Sequence, residues 1–155
     1  MNIHHYSAPI GIIEIETDGY SITKLKPLRK KPATLLKSEN QVIRKACGQL
    51  GEYFAGERQQ FDLPISTQGT DFQQTVWKQL TEIPYGKTIS YRQLAQSIDN
   101  PKACRAVGNA NGKNPVSIII PCHRVIASDG SLGGYASGLE IKKQLLDMEK
   151  KCTFA

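Results

Sequence analysis

Pro64–Gly69, reading Pro-Ile-Ser-Thr-Gln-Gly, breaks the hydrophobic periodicity of the chain and sets the first limit on its fold. A length of 155 residues permits one large domain or two small ones. A linker-like stretch at this position predicts two, residues 1–68 and 69–155. Hydrophobic residues are 39% and charged residues 22% of the chain, a balance that supports packed cores and argues against disorder.

The first piece reads as sheet plus helix. Ile10, Ile12 and Ile15 lie among polar residues and end at Asp18-Gly19, a hairpin signal with Tyr20–Lys26 as the returning strand. The basic, Pro-containing run from Lys24 to Lys31 reads as a solvated loop or a binding patch. Ser38-x-x-Gln41 has the form of a capping box for a helix carrying Val42, Ala46, Leu50 and Tyr53 and stopped by Gly56.

The second piece reads as mostly helical. Thr70-x-x-Gln73 caps a helix bearing Phe72, Val76, Trp77 and Leu80, and Ser90-x-x-Gln93 caps a short one through Ile98. Asn100-Pro101 opens the next after a break of two or three residues, suggesting helix-turn-helix geometry. That helix, Lys102–Asn111, is built from small residues, with Lys102, Arg105 and Asn109 as its polar groups. So flat a surface suits the floor of a DNA groove or close packing on another helix. Val116–Ile120 reads as a buried strand entering Pro121-Cys122-His123-Arg124, Val125–Ala127 as another strand, and Ser137-x-x-Glu140 as the cap of a last helix reaching about Lys150. On that helix Lys142 and Glu149 fall in the middle of the apolar face of Leu139, Ile141, Leu145, Leu146 and Met148. A charge there needs a partner, a snorkelling stem or a frayed end.

Twenty Lys and Arg against fourteen Asp and Glu leave a net charge of +6, which favours a polyanionic partner. Cys47, Cys104, Cys122 and Cys152 form neither a disulfide framework nor a Cys-x-x-Cys zinc pair, so a reducing compartment is expected. Met1–Tyr6 lacks the pattern of a signal peptide, and no apolar run is long enough for a membrane span. Cys122 is the candidate nucleophile, with His123 as base and Arg124 as a source of positive field. Neighbours on an extended strand face opposite ways, so His123 would reach the thiol only through a bend or a water.

Pro121-Cys122-His123-Arg124-Val125 resembles the active-site signature of the O6-alkylguanine-DNA alkyltransferases. Ile83–Tyr91, Lys102-Ala-x-Arg105-Ala-Val-Gly108, Asn114-Pro115, Gly133-x-Tyr135 and Leu145-Leu-x-x-Glu149 follow in the same family's order and spacing. The resemblance is close over 70–150 and looser before, through Tyr53-Phe-Ala-Gly56 and Phe61-x-Leu-Pro64.

It implies an α+β protein: a small N-terminal sheet-plus-helix domain followed by a helical, winged-helix-like domain that carries a helix-turn-helix. It further implies single-turnover transfer of a methyl or other alkyl group from O6-alkylguanine in DNA to Cys122, with O4-alkylthymine as a second possible substrate. Glu149 matches the carboxylate that orients His123, Tyr91 the tyrosine that assists flipping and bonds guanine N3, and Asn114 the asparagine that holds the turn. Lys102, Ala103, Arg105, Ala106, Asn109 and Arg124 match the DNA-contacting set, with Arg105 filling the space of the flipped nucleotide. Val125, Gly133, Tyr135, Ala136 and Lys142, with Tyr91, match the base pocket. The partner implied is duplex DNA, bound through the minor groove by a monomer in the cytoplasm or nucleoid, or in the nucleus of a eukaryote. No cofactor and no metal are implied, and His4 and His5 are expected at the surface. Two readings outside the family remain. A winged-helix regulator without chemistry leaves Cys122, His123 and Glu149 unexplained, and a thiol hydrolase leaves Arg105 and Tyr91 unexplained.

Overall fold

A computed structural model describes residues 2–153. Three antiparallel strands, β1 (Asn2–Ala8), β2 (Gly11–Thr17) and β3 (Ile22–Pro27), form a sheet in sequence order. In β2, Ile13 and Ile15 turn inward under helix α1 (Gln41–Phe54), whose buried stripe is Ile43, Ala46, Leu50 and Tyr53. Glu14 and Glu16 alternate to the other face, where Lys24 bridges them at 2.8 and 3.1 Å. The sequence reading missed β1, whose alternation is masked by polar residues. One of them, His5, is not at the surface but 3% exposed. Its Nδ1 accepts from Leu36 N at 2.8 Å and its Nε2 lies 3.1 Å from Glu14, which ties the loop before α1 to the sheet. The cap of α1 is Asn40 rather than Ser38, because Asn40 Oδ1 accepts from Val42 N and Ile43 N.

The remainder comprises α2 (Asp71–Leu80), β4 (Ile89–Ser90), α3 (Tyr91–Ser97), α4 (Cys104–Gly112), a 3-10 turn (Cys122–Arg124), β5 (Val125–Ile126) and α5 (Leu139–Thr153). Both capping boxes form, at Thr70 with Gln73 and at Ser90 with Gln93. The break between α3 and α4 is longer than expected. Pro101 and Lys102 lie in a turn, Ala103 is the cap, and the helix begins at Cys104. β4 and β5 pair in parallel. Helix α5 runs on through Thr153. Ser137 does not serve it with a capping hydroxyl: its Oγ donates to Pro27 O at 2.8 Å, back into the N-terminal sheet.

Val116–Ile120 is buried but is not a strand. Only Val116 pairs, with Leu25, and the chain then turns, with Ile118 at φ 72°. A β-branched residue in the left-handed region costs roughly 1–3 kcal/mol and persists only where its surroundings impose it. Asn114 imposes it here. Its Oδ1 accepts from Val116 N at 3.0 Å and its Nδ2 donates to Ile120 O at 2.7 Å, closing the loop across its base. Strand β3 joins the two pieces: Leu25 N donates to Pro115 O and Ser117 N to Leu25 O, while Ile22 N donates to Pro64 O within the first piece.

Trp77 locks α2 to α4, its Nε1 donating to Ala110 O at 2.8 Å. Trp77→Phe removes this donor and leaves a partial cavity, so a loss of about 2 kcal/mol is expected in urea unfolding. A change below about 0.5 kcal/mol would mean that α2 and α4 are held by other contacts.

Candidate active site

Glu149 gathers the site. It projects from the buried stripe of α5 together with Lys142 and Leu145, and it is 1% exposed. Its Oε2 accepts from Tyr53 Oη at 2.5 Å, from His123 Nε2 at 2.7 Å and from Arg124 Nη2 at 3.1 Å; its Oε1 accepts from Arg124 Nε at 2.8 Å. Burial alone would push this carboxyl up. The hydrogen bonds and charges of His123 and Arg124 outweigh that and hold it at about 2, so it is ionised at neutral pH.

An ionised carboxylate only accepts, so His123 Nε2 carries the ring proton. His123 is fully buried, and its Nδ1 has no hydrogen-bond partner among the described residues. Burial lowers the imidazole pKa; Glu149 raises it again, and the Arg124 and Lys142 charges oppose that. The group is a neutral base with one free lone pair. The 3-10 turn replaces the extended geometry expected at Cys122 and His123.

Cys122 is buried too, and burial pushes its thiol up. The polar groups of Asn114 and Ser117 and the charge of Lys142 act the other way. The resting sulfur is therefore a thiol that needs a base to become a nucleophile. The space beside it is about 20 Å³, room for about one water. Its lining includes Lys26, Asn114, Ser117, Cys122, Tyr135 and Ala136. A larger groove of about 650 Å³ lies on the other side of the turn, between Phe61, Tyr85 and Pro121, but neither Cys122 nor His123 lines it.

The segment 132–137 roofs the pocket. Gly133, at φ 73°, packs on Tyr91, and a β-carbon there would lie 2.9 Å from the ring. Tyr91, the first residue of α3, also faces Gly108 of α4. Burial raises its hydroxyl pKa, so it remains a proton donor. The Tyr135 hydroxyl is buried without a hydrogen-bond partner among the described residues.

Two expected roles need correcting. Arg124 is buried, bonded to Glu149 and to Ile83 O at 2.8 Å and set over the face of Tyr85, so it points into the interior and not toward a phosphate at the surface. Lys142 Nζ donates to Val125 O, Leu132 O and Gly134 O, which leaves no proton for a substrate. Desolvation lowers its pKa to about 8. It holds the roof and lends charge to the thiol. The Val125 side chain is fully buried in β5, while Ala136 is exposed at the pocket edge. On α4, Val107, Ala110 and Asn111 face inward; Arg105, Ala106 and Asn109 face solvent, with Lys102 exposed just before the helix and Ala103 partly buried at its cap.

The sequence reading missed Tyr53 and Ser117. The only available signal for Tyr53 was a hydroxyl on the apolar stripe of α1, and for Ser117 a single polar residue within an apolar run.

Residues 71–151 match the family pattern described as 6-O-methylguanine DNA methyltransferase, DNA binding domain, and residues 1–67 its ribonuclease-like domain. The chain belongs to the 6-O-methylguanine DNA methyltransferase family. A relative within it, the methylated-DNA–protein-cysteine methyltransferase of Methanosarcina mazei, is 54% identical over 97% of this chain and 98% of its own length. The Methanosarcina barkeri protein of the same name is 49% identical over 92% and 93%. The crystal structure of Mycobacterium tuberculosis OGT in complex with DNA superposes with a TM-score of 0.90 at 43% identity, covering 98% of this chain and 94% of that one. For a methyltransferase of this family the described residues hold no cluster of three or more His, Cys, Asp or Glu side chains suited to a metal, and no helix long and apolar enough to cross a membrane.

Tyr53→Phe removes one donor from Glu149 while keeping its charge and its other three bonds. A loss of about 1–2 kcal/mol in stability is expected by denaturant titration. Glu149→Gln strands the buried Arg124 and costs more, roughly 3 kcal/mol or above. Because the folded-state carboxyl is depressed from 4.5 to about 2, its contribution is present above pH 4.5 and is lost as pH falls through about 2. An acid unfolding curve of Glu149→Gln as steep as that of the parent over this window would contradict the assignment.

Proposed function

We propose that the protein repairs DNA by moving the alkyl group of O6-alkylguanine onto Cys122 in a single turnover, with O4-alkylthymine as a possible second substrate. The observation that carries this reading is the buried relay of Glu149, a neutral His123 with its Nδ1 free, and a thiol in a pocket the size of a methyl group or a water. His123 takes the thiol proton, through a bridging water, and Glu149 stabilises the resulting imidazolium. The thiolate pair forms the S–C bond as the C–O6 bond breaks and its electrons pass to guanine. Tyr91 protonates guanine N3 as the base leaves. The proton held by His123 then returns to the Tyr91 oxygen through solvent, so that in sum one proton moves from sulfur to guanine. A thioether is not hydrolysed, so the protein is consumed, and the chemistry calls for no cofactor or metal.

Asn114 is a positioning residue: it closes the loop that presents Cys122. Gly133, Tyr135 and Ala136 cover the entering base. The exposed face of α4 lies in the minor groove, where small residues permit close approach. Ala103 and Ala106 form that low surface, Lys102 and Asn109 meet the backbone, and Arg105 fills the place of the extruded nucleotide. The protein acts as a monomer, with the two units dividing near residue 68. A thiol hydrolase would turn over, and a DNA-binding regulator would leave the thiol unmodified.

Mixing with a duplex containing O6-methylguanine should add one methylene of mass per molecule, on the peptide containing Cys122. Multiple turnovers, or label on Cys104, would overturn the proposal. Arg105→Ala should slow repair of the duplex severely, by tenfold or more, since extrusion costs a few kcal/mol. The free base needs no extrusion, so its rate should change little. Equal losses on both would assign Arg105 to folding or chemistry.

A further inference from the structure

The end of the run from Lys24 to Lys31 lies against the roof of the thiol pocket. Leu25 exchanges backbone hydrogen bonds with Pro115 and Ser117, which brings the end of β3 beside the loop that carries the nucleophile. Lys26 then lines the pocket itself. Pro27 O accepts the buried Ser137 hydroxyl at 2.8 Å, and exposed Arg29 donates from Nε to Ala136 O at 2.9 Å. The roof is thus fastened on two sides: Lys142 of α5 holds Leu132 and Gly134, and the N-terminal sheet holds Ala136 and Ser137.

The fastening bears on substrate size. The space beside Cys122, about 20 Å³, admits about one water and not a purine, so the roof must move when a base enters. A methyl group needs little further room between roof and sulfur, whereas a benzyl group holds the roof displaced in the reacting complex. We infer that the Pro27–Arg29 segment is a specificity-determining latch: its bonds to Ala136 and Ser137 restrain the roof and select small alkyl groups over bulky ones. The inference rests on the alkyl-transfer reading above and assigns to the N-terminal domain a positioning part in that reaction.

The test compares Arg29→Met, Ser137→Ala and the double variant with the parent protein. Transfer rates are measured for free O6-methylguanine and free O6-benzylguanine, and for a methylated duplex. Amide hydrogen exchange over residues 132–138 is followed in the protein alone. Each single variant should raise the benzyl-to-methyl rate ratio roughly threefold to tenfold, as expected for one lost hydrogen bond. Ser137→Ala should have the larger effect, because its bond is buried. The double variant should fall short of the product of the singles, because the two bonds restrain one segment. Arg29→Lys, which keeps a donor, should restore most of the parent ratio. Exchange over 132–138 should quicken while global unfolding shifts little. An unchanged ratio with unchanged exchange overturns the latch. So does a loss confined to the duplex with a shallower salt dependence, which would make Arg29 a phosphate contact. Failure of the parent protein to alkylate Cys122 would instead overturn the alkyl-transfer reading, and the exchange measurement would still decide whether the latch exists.

Discussion

A single carboxylate, 1% exposed, accepts four hydrogen bonds from three side chains, and the arrangement of the site follows from it. Glu149 can remain ionised in the interior only because Arg124 compensates its charge and Tyr53 and His123 complete its coordination. Each partner is fixed in return. His123 is held in the tautomer that leaves Nδ1 free, Arg124 is drawn into the interior, and Tyr53 ties α1 to α5 at the other end of the chain. The same residue orients the His123 ring and fastens α1 to α5.

Around this anchor the electrostatics keep the reactants neutral until substrate arrives. Burial raises Cys122 and lowers His123, so neither is charged at rest. Lys142, with its pKa lowered to about 8 and its protons spent on the carbonyls of Val125, Leu132 and Gly134, adds positive potential near the sulfur without forming a direct ion pair.

The geometry around the nucleophile is assembled from strain and short contacts. Asn114 spans the loop that forces Ile118 to φ 72°, and this bend turns Cys122 into a 3-10 turn instead of extending a strand. Gly133 lies where any β-carbon would strike Tyr91, so the roof, α3 and α4 meet at one aromatic ring. The N-terminal sheet closes the remaining side through Pro27 and Arg29. The segment that carries Cys122 is thus held in part by residues of the N-terminal sheet.

Local chemistry was legible in the sequence wherever it depends on neighbours in the chain. The capping boxes at Thr70 and Ser90, the small-residue face of α4, the hairpin at Asp18-Gly19 and the misplaced charge of Glu149 all follow from spacing and side-chain type alone. The motif order also carried the family. What depends on partners distant in the chain was not legible. Arg124 stands within the Cys122 motif, but only a carboxylate 25 residues away decides that it points inward. Tyr53 looks like one more core residue until α5 brings Glu149 to its hydroxyl, 96 residues on. Val116–Ile120 has strand composition, yet Asn114 bends it because a side-chain amide can replace a ladder of backbone bonds. Sequence pattern determined which residues are candidates for the chemistry, whereas tertiary packing decided which charges are compensated, because burial makes an unpaired charge too costly to leave unmatched.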